Sequence, residues 1–312
     1  MKARFFSLTC LLFFTIFNLF AQEKETYLFA EKDTSKLYMD VYVPQIQNER
    51  QACLFFVFGG GFIGGKRDDK QVQKVKSYYT EKGYVVIAID YRLGMKGQKD
   101  FSLFGSVKNF DKAIQMAAED LISALDYTLK NLLDTKKYKI NPKNIILMGS
   151  SAGAITVLQT DYALCNGYFN SGILPADFRP AGVISYAGAI FSHHGRPKYK
   201  NHAPAPTLFC HGTDDKLVIY TQTNVFNLGL FGTSSIVKEF KKKGYGYHFR
   251  SYPKLGHQVA MFYNDEFPII DKFIEDIVFS NPRIQIDETY YNPDTKPMWN
   301  NFRVRDLKNV KM

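Results

Sequence analysis

The sequence predicts an α/β fold in which a mostly parallel, eight-stranded sheet carries helices on both faces. Three observations lead there. Strand-like and helix-like runs alternate from about residue 25 to residue 279. The middle strand-like runs are almost continuously apolar, as expected of strands covered on both sides. The helix-like runs repeat apolar residues at the spacing of one helical face.

Strands are expected at 27–30, 37–43, 52–58, 84–90, 145–148, 182–186, 207–210 and 247–252. Only Lys32-Asp33-Thr34 separates the first two, so they form an antiparallel edge pair. Helices are expected over 111–133, where Ile114, Ala117, Leu121, Leu125 and Leu132 share a face. A second lies over 266–278, where Ile269, Ile270, Phe273, Ile274 and Ile277 do the same. Four connections are long for a compact domain: 93–109, 162–179, 190–205 and 224–235. Loops of that length are usually lids or binding loops.

The N-terminus is a separate unit. Lys2 and Arg4 precede an apolar run ending at Leu19-Phe20-Ala21, the pattern of a secretory signal cut after Ala21. The apolar stretch is short for a spanning helix, so stable membrane insertion is not expected. The organisation is then 1–21 signal, 22–282 one catalytic domain and 283–312 a C-terminal tail that wraps the domain or is partly disordered. Loss of the signal removes Cys10 and leaves Cys53, Cys165 and Cys210, which do not make a disulfide framework. An exported chain without disulfides suits a bacterial periplasm or extracellular space. The net charge of +10 is scattered, with Lys241-Lys242-Lys243 the one tight cluster, at a predicted helix end. That distribution describes a solvated face and no nucleic-acid partner.

Chemistry concentrates in Gly149-Ser150-Ser151-Ala152-Gly153, directly after the apolar Ile145-Ile146-Leu147-Met148. This is the G-x-S-x-G turn between a strand and a helix, which lifts the central serine clear of the backbone. Ser151 is central, and Ser150 is its neighbour. A second glycine-rich turn, Gly59-Gly60-Gly61, follows Phe58 at another strand end. It lacks both phosphate-loop spacings. Paired with the serine turn it supplies an oxyanion hole from the N–H groups of Gly60, Gly61 and Ala152. The polar loop His211-Gly212-Thr213-Asp214-Asp215 follows a strand, and either aspartate could orient a histidine. Gly256-His257 follows the last predicted strand, and imidazole suits proton shuttling. The order serine, aspartate pair, histidine is that of a strand-turn-helix serine nucleophile.

Together with Asp90-Tyr91-Arg92, these motifs resemble the carboxylesterases of the hormone-sensitive-lipase-like α/β-hydrolases, over roughly residues 35–279. In that family the acid stands two residues before the aliphatic pair closing its loop. Leu217-Val218 closes it here, so the resemblance selects Asp215 and leaves Asp214 to shape the loop. It implies a Ser151–His257–Asp215 triad, backbone oxyanion donors and no cofactor or metal. Asp90 and Arg92 match a structural motif and carry no catalytic assignment. Phe58 is a departure, because the family often has histidine before the three glycines.

The function these features predict is a secreted serine esterase acting on short acyl or aryl carboxylic esters. Acetyl or feruloyl esters on carbohydrates are a substrate class suggested by context. The alternatives are a serine peptidase of the prolyl-oligopeptidase type and a non-catalytic binding protein on the same fold. Too few residues precede Gly59 for the propeller such peptidases carry. His211 braces the acid loop. His193 and His194, adjacent in a long loop, lack the spacing of a zinc site. Phe62, Phe101, Phe104, Tyr162, Phe169, Phe178 and Tyr186 are candidates for an acyl or aryl pocket.

Overall fold

The computed structural model describes residues 24–46, 52–98, 103–133, 138–301 and 306. The predicted signal, residues 1–21, lies outside the described residues, as does Phe101; the side chain of Phe104 does too.

A nine-stranded mixed sheet forms the centre. In chain order its strands are β1 (Lys24–Lys32), β2 (Ser35–Tyr42), β3 (Cys53–Val57), β4 (Val85–Ile89), β5 (Ile145–Ser150) and β6 (Gly182–Tyr186). A smaller sheet contributes β7 (Ala189–Ser192). Then come β8 (Thr207–Gly212), β9 (Gln222–Val225), β10 (Leu228–Gly232), β11 (Tyr247–Tyr252) and β12 (Gln285–Thr289). The large sheet is ordered β1-β2-β4-β3-β5-β6-β8-β11-β12. β1 and β2 are the antiparallel edge pair, β2 meets β4 antiparallel, and all later pairings are parallel. Every residue of β3, β4, β5, β6 and β8 is buried, which their near-continuous apolar sequences require.

The helices are α1 (Lys70–Glu81), α2 (Leu103–Asn131), α3 (Ala152–Asn166), α4 (Thr233–Lys243) and α5 (Phe267–Phe273). A single π-turn, Ile274–Val278, continues α5. α3 is buried almost around its whole circumference, packed on β5, β6 and α2. Its uniform apolarity reflects that position. α4 ends at Gly244 in the left-handed region, with Lys241, Lys242 and Lys243 in its last turn. Cations there complement the helix dipole.

Two expectations change. The sheet has nine strands instead of eight, because the segment after Pro282 adds β12 in parallel to β11. Its sequence, Gln-Ile-Asp-Glu-Thr, alternates half-buried and exposed residues, so no apolar run announced it. The long connections are also partly ordered. α2 begins at Leu103, while β7, β10 and β9 form an antiparallel sheet across 189–232. β9 is exposed along its length, which leaves no hydrophobic signal to read.

Candidate active site

The C-terminal ends of β5, β8 and β11 bring the three predicted side chains together. Ser151 sits between β5 and α3 with φ 52°, a left-handed value that is costly for a residue with a Cβ. Its N–H donates to Tyr186 O at 2.9 Å, which helps hold that conformation. The turn also needs close backbone approach. A Cβ on Gly153 would lie 2.0 Å from Val57 O, so only glycine lets α3 start against the end of β3.

Ser151 Oγ lies 2.8 Å from His257 Nε2, and His257 Nδ1 lies 2.7 Å from Asp215 Oδ2. The carboxylate accepts from Nδ1, which leaves Nε2 as an acceptor for the serine hydroxyl proton. His257 and Asp215 are buried. Asp215 Oδ1 accepts from the N–H groups of Leu217 and Val218 at 2.9 and 3.0 Å. His211 Nε2 lies 2.9 Å from Val218 O and 3.3 Å from Asp215 Oδ2, bracing the acid loop from below. Burial alone would raise the Asp215 pKa. Hydrogen bonds from His211 and His257 outweigh it and hold the carboxyl well below its ordinary range. Asp214 instead accepts from Thr213 Oγ1, and its own N–H donates to Leu255 O.

The glycine turn lies against the serine turn. A Cβ on Gly59 would come within 3.3 Å of Ser151 Cβ. Gly60 has φ 125°, and a Cβ there would stand 2.2 Å from Gly64 O. Gly60 and Gly61 are half-buried. Among the described residues, none accepts a hydrogen bond from the N–H of Gly60, Gly61 or Ala152. Phe58, the departure from the family pattern, stacks on Tyr91 with ring centroids 4.4 Å apart, and Tyr91 Oη donates to Phe58 O at 3.0 Å. The turn is therefore held from behind by an aromatic stack and a phenol.

Sequence reasoning missed three supporting side chains: Tyr91, Ser150 and Gln258. Ser150 Oγ donates to Ala260 O, in the short helix that starts at His257. Gln258 Oε1 accepts from Gly256 N at 3.0 Å and Met298 N at 2.8 Å, and its Nε2 donates to Lys296 O at 2.8 Å. Each stands next to a motif residue, so proximity in sequence was the available signal. The predicted pocket aromatics divide. Phe62, Phe178 and Tyr186 are buried, with Phe62 packed edge-on to Tyr91 and Phe110. Tyr162 and Phe169 line an open cleft beside α3.

Known proteins share this architecture. The esterase Est2 of Thermogutta terrifontis superposes with a TM-score of 0.58 at 19% identity, covering 83% of this chain and 94% of that one. Its butyrate-bound form gives 0.55 at 17% identity, with 81% and 94% covered. The fold is that of the α/β-hydrolases. The family described as BD-FAE matches residues 39–163, the part of the α/β-hydrolase fold from β2 to α3. That interval contains the glycine turn and Ser151; Asp215 and His257 lie beyond it. Gut esterase 1 of Caenorhabditis briggsae is 29% identical over 39% of this chain and 20% of its own length. Cholinesterase of Mus musculus is 29% identical over 39% and 19%. The aligned part is thus about a fifth of each curated relative.

Proposed function

We propose that the chain is a serine carboxylic ester hydrolase. The observation that carries this reading is the continuous hydrogen-bonded line Ser151 Oγ–His257 Nε2, His257 Nδ1–Asp215 Oδ2, with distances of 2.8 and 2.7 Å. Such a line makes an ordinary hydroxyl a nucleophile.

In this reading Ser151 Oγ attacks the ester carbonyl while His257 Nε2 takes its proton. The carbonyl electrons move onto oxygen, and the N–H groups of Gly60, Gly61 and Ala152 hold that charge. Each such donor is worth about 3 kcal/mol in the transition state. Asp215 keeps the imidazole in the required tautomer and stabilises its charged form. The tetrahedral species collapses, the Ser151 acyl ester remains, and His257 gives its proton to the departing alcohol. A water then gives its proton to His257 and attacks the acyl carbon, which releases the acid and restores Ser151.

Short acyl or aryl esters, including acetyl or feruloyl groups on carbohydrates, are the substrate class we assign. Export belongs to the same reading, with the catalytic unit at 22–282 and a signal at 1–21.

The test is hydrolysis of p-nitrophenyl acetate, butyrate and octanoate by the wild type and by Ser151→Ala. Turnover lost in the variant supports the reading, and the chain-length profile sizes the acyl pocket. Equal turnover by both proteins, or none by either, overturns it.

A further inference from the structure

One carboxylate joins two strands that the sheet itself does not join. β6 and β11 lie on either side of β8, so about 10 Å separates them and no ladder hydrogen bond runs between them. Their last residues are Tyr186 and Tyr252. The register pairs Tyr186 with Cys210 and Cys210 with Arg250, so these side chains share one face of the sheet. Tyr252, two residues beyond Arg250, is on the same face. Glu266 meets that face directly before α5. Tyr252 Oη donates to its Oε2 at 2.5 Å, and Tyr186 Oη donates to the same oxygen at 3.3 Å. Arg250 Nη1 stands 3.5 Å from Oε1.

The backbones of the same two tyrosines hold the triad. Tyr186 O accepts from Ser151 N at 2.9 Å. Tyr252 O accepts from Thr213 N at 3.0 Å, in the loop of Asp215, and from Leu255 N at 3.3 Å, two residues before His257. Glu266 is therefore one hydrogen bond from each tyrosine, and each tyrosine is one hydrogen bond from a turn that carries a triad member. Tyr263, in the short helix that starts at His257, packs edge-on to Tyr186 with centroids 5.8 Å apart.

A charged side chain in this place is costly. The Glu266 side chain is 15% exposed. Burial pushes its pKa up, against the hydrogen bonds of Tyr252 and Tyr186 and the charge of Arg250. An apolar residue of similar volume would avoid that desolvation. It would also lack direction, because only an acceptor oxygen can draw two phenol protons to one point. We propose that Glu266 is a positioning residue for ester hydrolysis: its Oε2, through the Tyr186 and Tyr252 phenols, sets the separation of the strand end that holds Ser151 from the loops that hold Asp215 and His257. This rests on the serine-hydrolase reading and deepens it by placing control of the triad's geometry at a carboxylate outside the triad.

The experiment compares wild type, Glu266→Met, Glu266→Gln, Tyr252→Phe and the pair Glu266→Met with Tyr252→Phe on p-nitrophenyl butyrate, with kcat taken per folded molecule as counted by circular dichroism. Met keeps the side-chain length and removes the acceptor; Gln keeps one oxygen for the two phenols. Glu266→Met should lower kcat roughly tenfold with KM within about twofold, as expected when only the reacting geometry is lost. Glu266→Gln should recover most of the loss. Tyr252→Phe should add little to Glu266→Met, since both break one path. Should Glu266→Met fail to fold, Tyr186→Phe with Tyr252→Phe removes both donors and carries the same expectation. The downfield proton resonance of His257 Nδ1–H, identified by its loss in Asp215→Ala, reads the triad without substrate. It should move in Glu266→Met and return in Glu266→Gln. An unchanged kcat in Glu266→Met, an equal loss in Glu266→Gln, or fully additive effects in the pair each overturn the positioning role. If wild type hydrolyses no ester, the resonance decides: a shift that Gln restores keeps the positioning role and overturns the ester-hydrolase reading alone, and an unmoved resonance overturns both.

Discussion

Ser150 Oγ donates to Ala260 O across 2.5 Å, tying the turn that carries Ser151 to the helix that opens with His257. The two groups that meet in the proposed mechanism are therefore fixed to each other by the residue beside one of them. Ser150→Ala would leave a buried carbonyl without its donor, a cost of about 1–3 kcal/mol. It should also loosen the Ser151–His257 distance, and small misplacements at a reacting centre are expensive in rate. We expect roughly a 10–100-fold fall in kcat with KM little changed. Steady-state kinetics beside urea unfolding checks both halves, and an unaltered kcat would exclude the positioning role.

The phenol of Tyr91 makes a second prediction. Tyr91→Phe keeps the stack on Phe58 but removes the donor to Phe58 O. The glycine turn then keeps its packing and loses one restraint. A fall of several-fold in kcat is expected, in line with about 1 kcal/mol for a lost hydrogen bond. Tyr91→Leu, which removes the stack as well, should cost more. Equal kinetics for wild type and Tyr91→Phe would show that the stack alone sets the turn.

Asp161, buried in α3, gives a pH dependence of stability. Burial is the main influence and raises its pKa to about 7, against the lowering effects of the Ala205 N–H and the Arg179 charge. A carboxyl whose folded pKa lies above its unfolded value favours folding below the unfolded value of 3.8. That contribution is lost as pH climbs through about 7. The whole span is worth on the order of 4 kcal/mol. Asp161→Asn keeps an acceptor for Ala205 and has no proton to lose. Its melting temperature relative to wild type should therefore rise between pH 5 and pH 8. A difference that is the same at both values contradicts the assignment.

Gln258 provides the last test. Its side chain joins the loop of His257 to the backbone at Lys296 and Met298. Gln258→Leu fills the space and breaks all three bonds. Turnover should fall several-fold, and residues near 296–301 should become more open to limited proteolysis. Gln258→Glu, which retains the acceptor for Gly256 N and Met298 N, should recover part of the loss.

Much of this was legible in the sequence because the relevant constraints are local. The buried strands β3, β5 and β6 had to be near-continuously apolar, and the serine turn had to have glycine where Gly153 meets Val57. Asp215 could not be separated from Asp214 by residue chemistry, since both are carboxylates in one loop. The distinction comes from direction: Asp215 turns inward to His257 and His211, while Asp214 faces solvent. β12 and β9 were illegible for the opposite reason. An edge strand buries little, so its sequence is free of the pattern that marks a central one. Ser150 and Tyr91 act through single hydrogen bonds to distant backbone carbonyls, which no spacing records.

The strap at 296–301 lies in the chain well after everything it steadies. During synthesis Ser151 emerges first, Asp215 next, His257 later, and the segment that pins the His257 loop after all three. A growing chain thus holds Ser151 in its turn long before His257, the partner that takes its proton in the proposed mechanism. In the proposed mechanism reactivity waits for that segment, and a truncated product ending before Lys296 would carry all three side chains yet lack the clasp that joins the His257 loop to it.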